Sequence, residues 1–116
     1  MKDFAEIERI KENWQFRRLY SRGKKIVTSS LIIYYSENKS DTCCLGITTG
    51  KKIGNAVNRN RAKRKIKEAF TAVYKNNKEK MKGHSFVLVA RVKTKNLKSH
   101  ELQAVLETEL KKTAII

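Results

Sequence analysis

No apolar run in these 116 residues approaches the roughly 20 needed to span a bilayer. The basic stretches have too narrow an apolar face for an interfacial anchor, so no membrane partner is expected. The N-terminal MKDFAEIERI is acidic and amphipathic, unlike a secretory leader. Proline is absent and no internal repeat is visible. A single domain over residues 1–116 is therefore expected, with residues 1–12 either a short helical turn at Ile7 and Ile10 or its least ordered part. Cysteine occurs twice, as the adjacent pair Cys43-Cys44. Strand neighbours point to opposite faces and cannot readily bridge, so strand packing in a reducing cytoplasm is the expectation. His84 and His100 stand apart, without ligand spacing around either, and no zinc pattern exists. There is no paired-carboxylate motif, no nucleophile elbow and no Asp/His cluster. No catalytic residue is assigned, which argues against a self-sufficient nuclease.

Acid is the scarcest ingredient. Lys and Arg number 27 against 11 Asp and Glu, a net charge of +16 with a pI near 10.1. Such a balance calls for a polyanionic partner and is silent about fold. The imbalance concentrates between Lys51 and Lys67, where Lys51, Lys52, Arg59, Arg61, Lys63, Arg64, Lys65 and Lys67 meet no acid. Arg59, Lys63 and Lys67 stand four apart, and like charges at that spacing repel on a helix. Nucleic acid is the natural partner to relieve them. The stretch has helical anatomy: Gly54-Asn55 is a turn signal, and Asn55 is a good N-cap for a helix from Ala56 to about Lys75. Ala62, Ile66, Ala69, Phe70 and Val73 make one apolar stripe. Asn60, Arg61, Lys63, Arg64, Lys65 and Lys67 fill the rest of the wheel. Arg59 falls on the apolar side, where a lone charge cannot be buried. It is expected at the rim of the core, reaching a phosphate or an acid.

Elsewhere the pattern is mixed. Asn13 can cap a helix over Trp14–Arg22 that stops at Gly23. Trp14 reads as packing at its start. Phe16 and Tyr20 share a side, flanked by Arg17, Arg18 and Arg22. Residues 26–35 read as a strand, with Leu31, Ile33 and Tyr35 on one face and Ser30, Ile32 and Tyr34 on the other. A polar turn over 37–41 precedes a returning, antiparallel strand over 42–49. Lys75–Lys80 frays or continues the basic helix. Residues 85–91 hold the continuous apolar run Phe86, Val87, Leu88, Val89 and Ala90, which suits a strand buried on both faces. A basic exit loop over 91–95 leads to a last helix capped near Ser99, with Leu102, Val105, Leu106 and Leu110 inward. The order is α+β, with helices packed on one sheet. On spacing alone Phe16, Tyr20 and Tyr34 read first as ordinary core, and second as an aromatic wall for unpaired bases.

The run Lys51-Lys52-Ile53-Gly54-Asn55-Ala56-Val57-Asn58-Arg59-Asn60-Arg61-Ala62-Lys63-Arg64-Lys65-Ile66-Lys67-Glu68 resembles the signature KK-x-GNAV-x-RN-x-x-KR-x-x-RE of the bacterial ribonuclease P protein component. Two departures are Lys67, where that family usually has Arg, and Gly50, where it usually has Ser. The first exchanges a forked phosphate contact for a point charge. The resemblance implies a small single domain with about four strands, three helices and a left-handed crossover through the basic helix, in the manner of a ribosomal-protein α+β domain. The general rule would predict the opposite hand. It implies a catalytic-RNA site on Lys51, Lys52, Asn55, Arg59, Asn60, Arg61, Lys63, Arg64, Lys65 and Lys67. It implies a cleft for the single-stranded 5′ leader of precursor tRNA at Phe16, Arg17, Tyr20 and Tyr34. The expected partners are ribonuclease P RNA and precursor tRNA, with neither DNA nor membrane. Leader removal would be done by the RNA subunit with magnesium, the protein holding no cofactor of its own. The alternative reading is a structural RNA-binding protein of ribosomal type, outside tRNA processing.

Overall fold

The computed structural model describes residues 6–116. The expectation for residues 1–12 lies partly outside these. From Ile7 the chain is ordered as a short strand, β1 (Ile7–Arg9). Helix α1 (Asn13–Arg22) follows. It starts at Asn13 itself, and the Gln15 side chain accepts a hydrogen bond from the Glu12 N–H at 3.2 Å. The N-cap is therefore Glu12, one residue earlier than expected. Gly23 ends the helix for lack of a side chain and not by a left-handed turn. Its φ is −74°, and an added Cβ would lie 2.6 Å from the Leu19 carbonyl oxygen.

The expected strand over 26–35 is a hairpin, β2 (Lys24–Val27) and β3 (Leu31–Glu37), paired antiparallel. The break falls at Thr28-Ser29-Ser30. The Thr28 hydroxyl donates to the Leu31 carbonyl at 2.6 Å and accepts from the Leu31 N–H at 2.9 Å. A short hydroxyl side chain thus supplies backbone partners that the ladder would otherwise provide. With β1, this split makes five strands instead of about four. The face assignment of β3 holds: Leu31 and Ile33 are fully buried in the main core with Tyr35 against it, while Tyr34 joins a second cluster.

Strand β4 (Cys43–Thr48) does not pair with β3. The sheet order is β1-β4-β5-β3-β2, with β5 (His84–Ala90) at the centre. β4 runs parallel to both β1 and β5, and β3 runs antiparallel to β5. β4 therefore does run opposite to β3, as expected of a returning strand, but β5 lies between them. The cause is composition. Phe86 and Leu88 enter one core and Val87 the other, so β5 is apolar on both faces and belongs inside.

Parallel neighbours need a long crossover. Helix α2 (Ala56–Asn76) supplies it between β4 and β5, with a short helix α3 (Lys78–Met81) after a break at Asn77. The expected stripe Ala62, Ile66, Ala69, Phe70 and Val73 is buried, together with Tyr74. Phe70 meets Phe86 edge-on, with ring centroids 5.3 Å apart. Helix α4 (Ser99–Lys112) packs beside α2 through Leu102, Leu106 and Leu110. Its cap is not the Ser99 side chain, whose hydroxyl donates to Glu68 at 2.8 Å. The Glu101 carboxylate instead accepts from the Lys98 N–H at 2.9 Å. The larger core lies between the sheet and these two helices. The smaller one lies beneath α1 on the other face, around Ile10, Leu19 and Val87. Trp14 is not part of either: it is 54% exposed.

Candidate nucleic-acid interface

The basic helix starts from a built corner. Gly54 has φ +121°, a conformation that side chains oppose. Asn55 then caps α2, its side-chain oxygen accepting from the Asn58 N–H at 3.0 Å. Before it, Lys51 and Lys52 stand exposed on a 3-10 turn pinned by buried Ile53. Along α2, Asn60, Arg61, Lys63, Arg64 and Lys67 are exposed. Arg59 is half-buried one turn before buried Ala62, the rim position expected of it. Among the described residues no acid pairs with it.

Lys65 is placed differently from its neighbours. Its ammonium donates to three backbone carbonyls, those of Thr94 at 3.0 Å, Lys95 at 2.9 Å and Leu97 at 2.8 Å. An ammonium has three protons, so all of them are engaged within the protein. Burial, and secondarily the Arg61 charge, pull its pKa below the ordinary lysine value. Lys65 is a clasp between α2 and the 3-10 turn over Val92–Asn96, and not an open RNA contact as the wheel placed it. The same turn is held from its other side, where the buried Thr94 hydroxyl donates to the Ser30 carbonyl and Arg91 donates to the Thr28 carbonyl at 2.9 Å.

Two grooves result. The larger, about 730 Å³, opens where β1 ends and leaves the β4 edge uncovered beyond Leu45. Ile10, Phe16 and Ile47 give it an apolar floor. Asn60, Lys63, Arg64 and Lys67 wall it from α2, and Arg9 and Lys11 from the opposite side. No acid lines it. The two surfaces that the sequence suggested separately, basic helix and aromatic cleft, thus meet at Phe16. Phe16 in turn packs on Gly46, where an added Cβ would approach its ring to 2.6 Å. Tyr20 and Tyr34 continue from Phe16 between α1 and the sheet. Phe16 and Tyr20 centroids are 6.4 Å apart, and Tyr20 meets Tyr34 edge-on at 4.8 Å. Tyr20 is 41% exposed, and the Lys25 ammonium stands 5.7 Å from the Tyr34 ring centre. The trio packs together yet stays open to solvent, so core and platform are here compatible. Arg17 is exposed on the same helix.

The smaller groove, about 510 Å³, lies between Lys52 and the 91–93 segment, with Arg91 and Lys93 on its rim and Ile32 and Val89 beneath. Sequence reasoning saw 91–95 only as an exit loop and gave no role to Arg9, Lys11 or Gly46. A glycine inside a strand pattern is a recognised mark of close approach, so Gly46 was findable. Arg9 and Lys11 were not, since their role depends on β1 joining β4.

The geometry can therefore hold a polyanion along α2 and unpaired bases beside Phe16. The ribonuclease P family model matches residues 4–114. The ribonuclease P protein component of Clostridioides difficile is 37% identical over 97% of each chain. That of Staphylococcus carnosus is 40% identical over 89% of this chain and 87% of its own. The solved RNase P protein of Staphylococcus aureus superposes with a TM-score of 0.75 at 34% identity, covering 92% of this chain and 95% of that one. The RNase P protein from Thermotoga maritima gives 0.74 at 25% identity, over 90% and 96%. On these grounds the chain belongs to the ribonuclease P protein family.

Proposed function

We propose that this chain, as the protein subunit of ribonuclease P, grips the catalytic RNA and the 5′ leader of precursor tRNA at once. The observation that carries this is the shared cleft, in which Phe16 lies on the floor and Asn60, Lys63, Arg64 and Lys67 form the wall. Cations along α2 neutralise phosphates of the RNA subunit, and Arg64 adds forked contacts. Phe16, Tyr20 and Tyr34 receive unpaired leader bases, a mode of binding indifferent to sequence. Counterion release from both RNAs contributes to affinity.

Phosphodiester hydrolysis belongs, in this reading, to the RNA subunit. Among the described residues neither groove is lined by a carboxylate that could act as a general base beside a bound phosphate. Magnesium serves the RNA-containing holoenzyme. Among the described residues no three His, Cys, Asp or Glu side chains converge as a metal site, and no residue of this chain is assigned to the ion. The protein's part is to hold substrate against the RNA and to lower phosphate repulsion when magnesium is scarce. The place of action proposed is the cytoplasm.

The test is cleavage of precursor tRNA at low magnesium by a bacterial ribonuclease P RNA, with and without this chain. Strong stimulation is expected, with no cleavage by the protein alone. Absence of stimulation across a range of salt would overturn the reading.

A further inference from the structure

Trp14 is the only tryptophan of the chain, and it stands 54% exposed at the start of α1. An indole is among the largest apolar surfaces a side chain can offer, and it ordinarily seeks cover. Among the described residues it makes no hydrogen bond or ring contact. It precedes Phe16 by two positions, roughly 200° around the helix. It therefore faces away from the side that packs on Gly46. Arg17 and Arg18 follow at three and four residues, the spacing that brings side chains together on one helix face. Both are exposed. Helix α1 contains no acid to balance them. The outward side of α1 is thus an open aromatic plane with guanidinium groups on the next turn, a combination suited to a stacked base and its phosphates.

We propose that Trp14, with Arg17 and Arg18, is a second stacking site that takes a base of the 5′ leader after the strand has passed Phe16. This rests on the leader reading of the cleft. The leader is the occupant that the placement favours, because α1 covers one face of the sheet while α2 lies on the other. A strand leaving Phe16 by way of the start of α1 meets Trp14 within one turn of the same helix. Stacking on an exposed ring tolerates any base, so no sequence preference is required there.

Because Trp14 is the sole tryptophan, its emission reports the site directly. Holoenzyme assembled from the full chain and ribonuclease P RNA is titrated with precursor tRNA carrying a leader of about ten nucleotides, and in parallel with mature tRNA. Binding is followed separately through a fluorophore on the tRNA. Emission is expected to be quenched by precursor and left unchanged by mature tRNA. Trp14→Ala is expected to weaken precursor binding about thirtyfold, the middle of what loss of one base stack does. It should leave mature tRNA binding and the thermal transition unchanged, and Trp14→Phe should recover most of the loss. Saturating precursor binding without any change in emission would overturn the proposal and leave the cleft reading standing. Quenching on addition of ribonuclease P RNA alone would assign Trp14 to that RNA and overturn it as well. Equal affinity of the unaltered holoenzyme for precursor and mature tRNA would sink the leader reading and this proposal with it.

Discussion

Replacing Lys65 with Met separates the clasp from the RNA-binding cations around it. The variant keeps the aliphatic stem and loses the donations at 3.0, 2.9 and 2.8 Å to the carbonyls of Thr94, Lys95 and Leu97. A hydrogen bond to a charged group is worth about 1.5–3 kcal/mol net, and three taken at face value would exceed that several-fold. They share one ammonium, whose partial burial costs part of the gain. Lys95 is exposed, so water can replace that contact. The net loss works out to about 2–3 kcal/mol, the range in which leaving buried acceptors unpaired falls. For a chain of this size that is a fall in Tm of about 8–12 °C. Lys65→Arg should recover only part, because a flat fork cannot point three donors at converging carbonyls. Lys63→Met is the control: Lys63 lines the large groove and is exposed, so its Tm should stay within about 1 °C while RNA affinity falls. The assay is thermal unfolding beside binding to ribonuclease P RNA. An unchanged Tm for Lys65→Met, with RNA affinity falling as it does for Lys63→Met, would refute the clasp.

Three further outcomes are expected. Arg64→Ala should weaken binding to ribonuclease P RNA and flatten its salt dependence by a log–log slope of about 0.7–0.9 for each phosphate no longer neutralised; an unchanged slope in salt titration would count against Arg64 touching a phosphate. Gly46→Ala forces the Phe16 ring and Ile10 apart, since its Cβ would come within 2.6 Å and 3.3 Å of them. The loss should be about 1–3 kcal/mol in denaturant unfolding, with weaker binding of precursor than of mature tRNA. Burial, and then Cys44, push the Cys43 thiol up to about 12 from 9.0. Its contribution to stability is complete below pH 9 and is lost as pH rises through about 12, because the unfolded thiol ionises first. Iodoacetamide near pH 8 should accordingly label Cys44 in the folded protein and Cys43 only after unfolding.

Much of the molecule was legible because the information was local. The N-cap Asn55, the stripe Ala62–Val73 and the alternation of Leu31, Ile33 and Tyr35 are properties of one element meeting one core, and periodicity reports them. So does the one-signed run from Lys51 to Lys67. The same method misjudged Trp14, since a position at the start of a helix carries no mark of whether another element will cover it. It misjudged Lys65 for a related reason. A helical wheel puts it outside, and nothing in its neighbourhood in sequence announces that the 92–96 turn will fold over it.

The order of the residues was enough for the α+β class, the basic helix with its cap and stripe, the two-sided apolar strand and, through the signature from Lys51 to Glu68, the family. It was not enough to put β5 between β3 and β4, to extend the β4 edge with three residues of β1, or to set Phe16 facing Lys63, Arg64 and Lys67 across one cleft. Those arrangements come from the packed molecule. The difference lies in the range of the interactions. Capping and amphipathic spacing act over a few residues and are written in the succession of side chains. Strand neighbours and groove walls join segments tens of residues apart, and which of them meet is settled by how all the apolar faces can be buried together.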